Sequence, residues 1–274
     1  MAAKKETKSL VQVIDTQAHK IREILPEGQN SEKDAARVIR LARLAIVRNP
    51  KLMDCTPISV VESIMVASQL GLEINSPIGG AHLVPFGKKC QMIPDYRGLI
   101  RLALKNGDCG KLVAREVYEG DMFHVIQGTT EMIEHVPLLG DEPRGDDNIS
   151  GFYAVATLAN GLTVHEYAPR GDVDKIRARS KAGSSGPWKT DYAAMGKKTM
   201  IKRVLKWLDL SPDLAMAIEY DNRGETGYST STSDRDTEET VEEDMKEQAQ
   251  QAQKELSENL DEARRKELIG EPHD

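Results

Sequence analysis

The chain has no run of apolar residues long enough to cross a bilayer, which takes about 18 or more in succession, and its opening residues, MAAKKETKSL, lack the apolar stretch of a secretion signal. A cytoplasmic protein of a bacterial host cell is therefore expected, with no membrane partner. The three cysteines, Cys55, Cys90 and Cys109, fit neither a CxxC pair nor zinc-finger spacing, so reduced thiols are expected instead of a disulfide framework. No GxxxxGK[ST] cradle for nucleotide phosphates is present, and GDCGKL is too short to replace it, which argues against ATP. The six histidines, His19, His82, His124, His135, His165 and His273, are scattered without an HExxH pair, and neither GxSxG nor a Cys/His neighbourhood announces a nucleophile. Asp95, Asp121 and Glu134 read as surface carboxylates in preference to a metal-dependent nuclease site. Catalysis therefore has no visible chemistry, and no cofactor or metal is expected. Aromatic residues make up 4% of the chain, too few for a platform that stacks every base, and zinc fingers, basic zippers and RNP-type strands are all missing.

What is present is charge, unevenly spread. The formal net charge is −7, yet the segment from Glu219 onward holds 18 acidic and 7 basic residues, which leaves 30 basic and 26 acidic residues in Met1 to Ile218. Arg170 to Lys206 alone carries 11 basic and 3 acidic residues. An acidic tail masks a basic region in the net figure.

Residues 1–30 are polar and end in Pro26, Gly28 and Asn30, which reads as a variable, marginally helical arm. Residues 31–218 form the expected core. Ser31 with Asp34 three residues on caps an amphipathic helix to Arg48, and Thr56 with Pro57 opens a second one that ends at Gly71. Ala81 to Phe86 and Lys89 to Ile93 read as a hairpin turning at Gly87, followed by a short helix from Arg97 to Lys105. Leu112 to Tyr118, Met122 to Ile126 and Glu131 to Val136 are expected to form one antiparallel meander, and Leu138 to Asn148 a charged loop. Phe152 to Leu158 and Leu162 to Tyr167 make the clearest hairpin, with Asn160 and Gly161 taking positive backbone angles at its turn. Helices over Asp172 to Ala178 and Asp191 to Leu208 complete an α+β fold in which antiparallel hairpins are backed by helices. Residues 219–274 have too little apolar surface to offset ordering entropy and read as a flexible acidic tail.

In the last core helix Met200, Ile201, Val204, Leu205, Trp207 and Leu208 share one face, while Lys198, Lys202 and Lys206 recur every four residues and fall with Arg203 on the opposite side. Like charges at this spacing destabilise a helix by about 0.2 to 0.5 kcal/mol per pair. Only Asp191 lies nearby on the segment to relieve them, and Arg177, Arg179, Lys181 and Lys189 add charge just before it. A polyanion is the natural partner, held through its backbone with little sequence preference. Trp188 has two readings, a base-stacking side chain or a residue packed against the helix start. Lys88 and Lys89 at the hairpin tip, with Tyr96, Arg97 and Arg101 beyond, make a second basic cluster. Its readings are a soluble turn, a DNA contact, or a contact with a neighbouring subunit in which Phe86 and Met92 take part.

The segments LGLE, AHLVPFGKKCQMIPDYRGLIRLA and GPWKTDYAAMGKKTMIKRVLKW, in this order and spacing over Pro50 to Pro212, resemble the RecT and Red beta family of phage single-strand annealing proteins, the RecT branch above all. The resemblance implies ATP-independent binding of single-stranded DNA, annealing to duplex and oligomerisation into rings or helical filaments. It places the DNA-binding lysine of the last core helix at Lys198, with Lys197, Lys202 and Arg203 beside it, and carries the hairpin element to Lys88, Lys89, Tyr96 and Arg97. Gly196 departs from a good helix former and implies a bent or late helix start. For the tail the resemblance implies contact with a host single-strand-binding protein or a phage exonuclease, while its charge alone implies competition with DNA for the basic groove. The rival to annealing is a structural or adaptor phage protein whose basic stripe docks on an acidic protein surface.

Overall fold

In the computed structural model the described residues are 10–26, 31–76, 80–140, 144–180, 183, 184 and 186–226. Residues 10–16 are helical and lead into α1 (Ala18–Ile24). Leu10, Ile14, Ile21 and Leu25 are buried, so this part of the arm is a layer of the core. In α2 (Glu32–Arg48) the expected capping box closes: Asp34 N donates to Ser31 Oγ at 3.3 Å and Ser31 N to Asp34 Oδ2 at 3.1 Å. Its inward face is Ala35, Ile39, Ala42, Ala45 and Ile46. A single 3₁₀ turn (Pro50–Asp54) leads to α3 (Pro57–Gln69), where Pro57 sits at the first helical position. Thr56 occupies the cap position without capping through its side chain. Ser59 holds this end instead, donating to Thr56 O at 2.9 Å and accepting from Cys90 N at 2.9 Å.

Strands β1 (Ala81–Phe86) and β2 (Lys89–Pro94) pair through a two-residue turn, with Gly87 at φ +61°. Met92 is fully buried on β2, so it belongs to the core and not to an exposed hairpin surface. Cys90 is buried beside it, and burial pushes its thiol up to about 12. Asp95 caps α4 (Tyr96–Lys105), accepting from Gly98 N at 2.7 Å and Gly80 N at 3.0 Å.

The larger sheet has the order β3 (Lys111–Tyr118), β6 (Ile149–Thr157), β7 (Thr163–Pro169), antiparallel throughout. Strands β4 (Met122–Ile126) and β5 (Met132–Val136) pair only with each other. The expected meander through β3, β4 and β5 is therefore broken. Register shifts at Val117/Tyr118, and Gly120 at φ +86° turns the chain away. The central place goes to β6, whose nearly continuous apolar run, with Phe152, Tyr153, Ala154 and Ala156 all buried, suits a strand covered on both faces. The β4–β5 ribbon returns to this sheet through Phe123, whose ring lies 5.6 Å from Tyr153 and 5.1 Å from Tyr167. In the turn between β6 and β7 only Gly161 has positive φ, at +83°; Asn160 contributes through its side chain, which accepts from Leu162 N at 3.0 Å.

Helices α5 (Arg170–Arg179), α6 (Pro187–Thr190), α7 (Tyr192–Leu205) and α8 (Pro212–Thr226) finish the fold. Gly196 neither bends nor delays α7. A Cβ at Gly196 would lie 2.3 Å from the ring of Phe152, so glycine is what lets the helix lie on the sheet. Gly196→Ala removes about 1 kcal/mol of helix-propensity penalty but forces Phe152 aside. A net destabilisation of about 1 to 3 kcal/mol is expected by chemical denaturation; a variant as stable as the parent would show that the helix has room to retreat.

The described residues belong to a compact unit, Met1–Gly227. The expected tail beyond residue 226 lies outside the described residues, as does Lys181. Among the described residues no helix is long and apolar enough to cross a membrane.

Candidate nucleic-acid interface

Packing divides α7 differently from the simple wheel. Met200, Ile201, Val204 and Leu205 are fully buried as expected, but Trp207 is 67% exposed and its Nε1 donates to Glu166 Oε1 at 2.8 Å. Lys198 is only 4% exposed. The reason is α8, which covers the lysine side of α7 and places Asp221 between Lys198 and Lys202. Lys198 Nζ is paired with Asp221 Oδ1, and Lys202 Nζ donates to Asp221 Oδ2 at 2.7 Å. The side chain of Asp221 has no solvent exposure. Thus the four-residue spacing that reads as a solvated stripe is a pair of ammoniums sharing one buried carboxylate. Arg203 is half-buried and Lys206 exposed at the helix end.

The sheet side of α7 joins two clusters that are far apart in sequence. Lys197 Nζ lies 3.2 Å from Glu116 Oε2 on β3 and 5.2 Å from the ring centre of Tyr96 on α4. Arg97 Nε donates to Tyr96 Oη at 3.1 Å. Tyr96, Arg97 and Lys197 therefore meet, as a single groove requires. Lys88 and Lys89 are exposed at the β1–β2 tip and Arg101 is half-buried on α4.

The basic turn before α7 is built around an aromatic pair. Trp188 is 1% exposed, with its ring 6.1 Å from that of Tyr192. Of its two readings, the packed residue is the one found here, since a buried indole has no face to offer a base. Arg170 and Arg177 stack over Tyr192 at 5.1 and 5.8 Å. Tyr192 Oη donates to Asp174 Oδ1 at 2.9 Å, and burial together with that carboxylate pushes the phenol's pKa up. Arg177 Nε also donates to Gly183 O at 2.8 Å. Arg179 and Lys189 are exposed.

The carboxylates weighed as a metal site are engaged separately. Asp95 caps α4, while Asp121 has no exposed side chain and accepts from Tyr118 N, Leu138 N and Arg144 Nη1 at 2.8 to 2.9 Å, with His135 Nε2 at 2.9 Å. Burial alone would raise the Asp121 pKa; the hydrogen bonds from His135, the two backbone amides and Arg144 outweigh it and hold the carboxyl far below its ordinary range. Asp121 is thus a buried hub, not a surface carboxylate. Among the described residues no group of histidine, cysteine, aspartate and glutamate could hold a metal ion.

Sequence reasoning missed Asp221 and the Tyr192 pocket. A signal for Asp221 was present: Leu214, Ala217, Asp221 and Gly224 follow a 3–4–3 spacing, which is the buried face of a helix, and an aspartate on that face needs cations.

Residues 36–243 match the RecT family. The chain belongs to the RecT family. It is 40% identical to Protein RecT of Escherichia coli (strain K12) over 197 residues, 69% of this chain and 72% of that protein. It is 33% identical to the uncharacterized protein YqaK of Bacillus subtilis (strain 168) over 177 residues, 64% of this chain and 60% of that one. RecT-family proteins anneal DNA single strands in recombination, a task of alignment and charge neutralisation with no bond made or broken. The matched region takes in the Tyr96–Lys197 junction, α7 and the Asp221 lock, so these are features of a RecT-family core.

Proposed function

We propose that this RecT-family chain binds single-stranded DNA without ATP, assembles along it in many copies and promotes pairing of complementary strands. The observation that carries the reading is the basic segment Arg170 to Lys206, 11 basic against 3 acidic residues, in a chain of this family. Exposed Lys88, Lys89, Arg97, Arg179, Lys189 and Lys206 form the phosphate-contacting surface, with Arg101, Arg177, Lys197 and Arg203 at its edge. Lys198 and Lys202 contribute by fixing α7 against α8 and by the positive field of two cations around one anion. Base pairing supplies specificity, so protein contacts fall on the backbone.

The test is annealing of two complementary oligonucleotides without ATP, with binding measured over a range of salt concentrations. Lys189→Ala with Lys206→Ala, both surface changes, is expected to lower affinity and flatten the slope of log K against log salt by about 2, roughly one released counterion for each lost phosphate contact. An unchanged slope overturns the assignment of this surface. Annealing no faster than without protein overturns the function.

A further inference from the structure

The β4–β5 ribbon has two unlike sides. Phe123 and His135 face the larger sheet, with the rings of both packed against Tyr153. On the other side Met122, Ile126, Met132 and Val136 are 44 to 49% exposed. The register sets Met122 opposite Val136 and Ile126 opposite Met132, with His124 opposite Glu134 between them. Leu138 and Leu139 follow, the latter 91% exposed. More than half of the exposed large apolar side chains of the described residues therefore fall within residues 122–139, and apolar surface gathered in this way marks a contact. The sequence from Glu119 to Pro143 contains six carboxylates and no lysine or arginine. That charge excludes a nucleic acid as occupant, because a polyanion is repelled.

The outward face of α2 has the complementary character. Leu44 and Val47 are exposed, Val47 by 74%, one turn apart on the side away from Ile39 and Ile46. Arg40 and Arg43 stand on the same face and Lys51 follows in the next turn, all exposed. Arg43 is paired with Asp15, whereas Arg40 and Lys51 have no ion-pair partner among the described residues. One patch is apolar with acidic surroundings, the other apolar with basic surroundings, and one chain carries both.

We propose that the outer face of β4–β5 on one copy of this chain docks on the outer face of α2 of the next. Apolar side chains meet at the centre, and the carboxylates around the ribbon meet the α2 cations. Because the two patches differ, the contact is head-to-tail and repeats from copy to copy. The inference rests on the proposed assembly of the protein and names the surfaces that produce it.

The experiment compares the full-length chain with Met132→Glu and Val47→Glu, each at an exposed position, by mass photometry and sedimentation velocity without DNA. Each variant alone is expected to raise the midpoint concentration for assembly by about a hundredfold, the scale on which an unpaired charge buried at an interface acts. An equimolar mixture of the two is expected to form dimers and nothing larger, since it retains one intact ribbon face and one intact α2 face. Thermal melts check the fold, and Met132→Ser with Val47→Ser replace any glutamate variant that melts early. The proposal is overturned if the parent chain stays monomeric, if either variant assembles as the parent does, or if the mixture stays monomeric. Affinity for an oligonucleotide too short to bridge two copies, measured in parallel, should stay within about twofold of the parent in both variants; a larger loss places these residues in the DNA surface and overturns the docking assignment. Failure of the parent to bind that oligonucleotide sinks the annealing function instead, and the assembly result is read independently of it.

Discussion

Asp221→Ala will destabilise the core by about 3 to 5 kcal/mol, because it leaves two largely buried ammoniums without their shared carboxylate. Lys198 is 6% exposed at its side chain and Lys202 13%, so neither reaches water without moving α8. Gln91 Nε2 donates to Tyr220 O at 2.8 Å, and a Cβ at Gly224 would lie 2.8 Å from Ile93 Cδ1, so α8 is also tied to β2 and has little room to shift. The triple change Lys198→Met, Lys202→Met, Asp221→Leu replaces the charges with apolar groups of similar length. It should recover most of the lost stability, since well-packed apolar substitutes for a buried ion group are often neutral or better. Urea denaturation of the single and triple variants checks both statements. A single variant that loses less than about 1 kcal/mol would mean that the lysines find water or another anion. The same triple variant separates structure from binding: if it is stable yet binds DNA weakly, the two cations act on phosphate through their field as well as through the fold.

Asp121→Ala will have an effect of similar size, about 3 to 5 kcal/mol, since it removes the acceptor shared by two backbone amides, Arg144 and His135. The loss should be concentrated in the β4–β5 ribbon, because His135 also connects Asp121 to Tyr153, with Nδ1 3.2 Å from the phenol oxygen. Hydrogen exchange of residues 122–136 measures it, and uniform loss across the core would contradict the assignment. The carboxyl also sets an acid limit. Its folded pKa is lowered, so its contribution is complete above the unfolded value of about 3.9 and is lost progressively as pH falls below that toward the folded value. Asp121→Asn, which is neutral at every pH, should flatten the fall in stability below pH ~4.

Local signals marked most elements well. Ser31 with Asp34, Pro57, the Gly87 turn and the β6–β7 hairpin each depend on a few adjacent residues, and each appears in the structure close to where those residues place it. Family membership was readable too, because it rests on several ordered segments together. Pairing over distance was not. The partner of β3 is β6, more than thirty residues on, and nothing local to β3, β4 or β5 says that the ribbon leaves the sheet. Charge misled for a related reason. A helical wheel assigns Lys198 and Lys202 to water because it contains only α7, whereas their counter-ion belongs to a helix whose sequence begins to look like a polar tail. Composition turns acidic at Glu219, yet α8 runs on to Thr226 and uses that stretch for Asp221.

The two tryptophans have exchanged the environments that spacing suggests for them, and this gives the protein an optical signature. Trp188, enclosed beside Tyr192 and with no hydrogen-bond partner for its indole nitrogen among the described residues, is an emitter in an apolar site that a dissolved quencher does not reach. Trp207, solvated and bonded to Glu166, emits from water at the end of α7, one residue from Lys206. A single fluorescence spectrum therefore carries two separable signals, a blue one that follows the integrity of the fold and a red one that follows events at the surface.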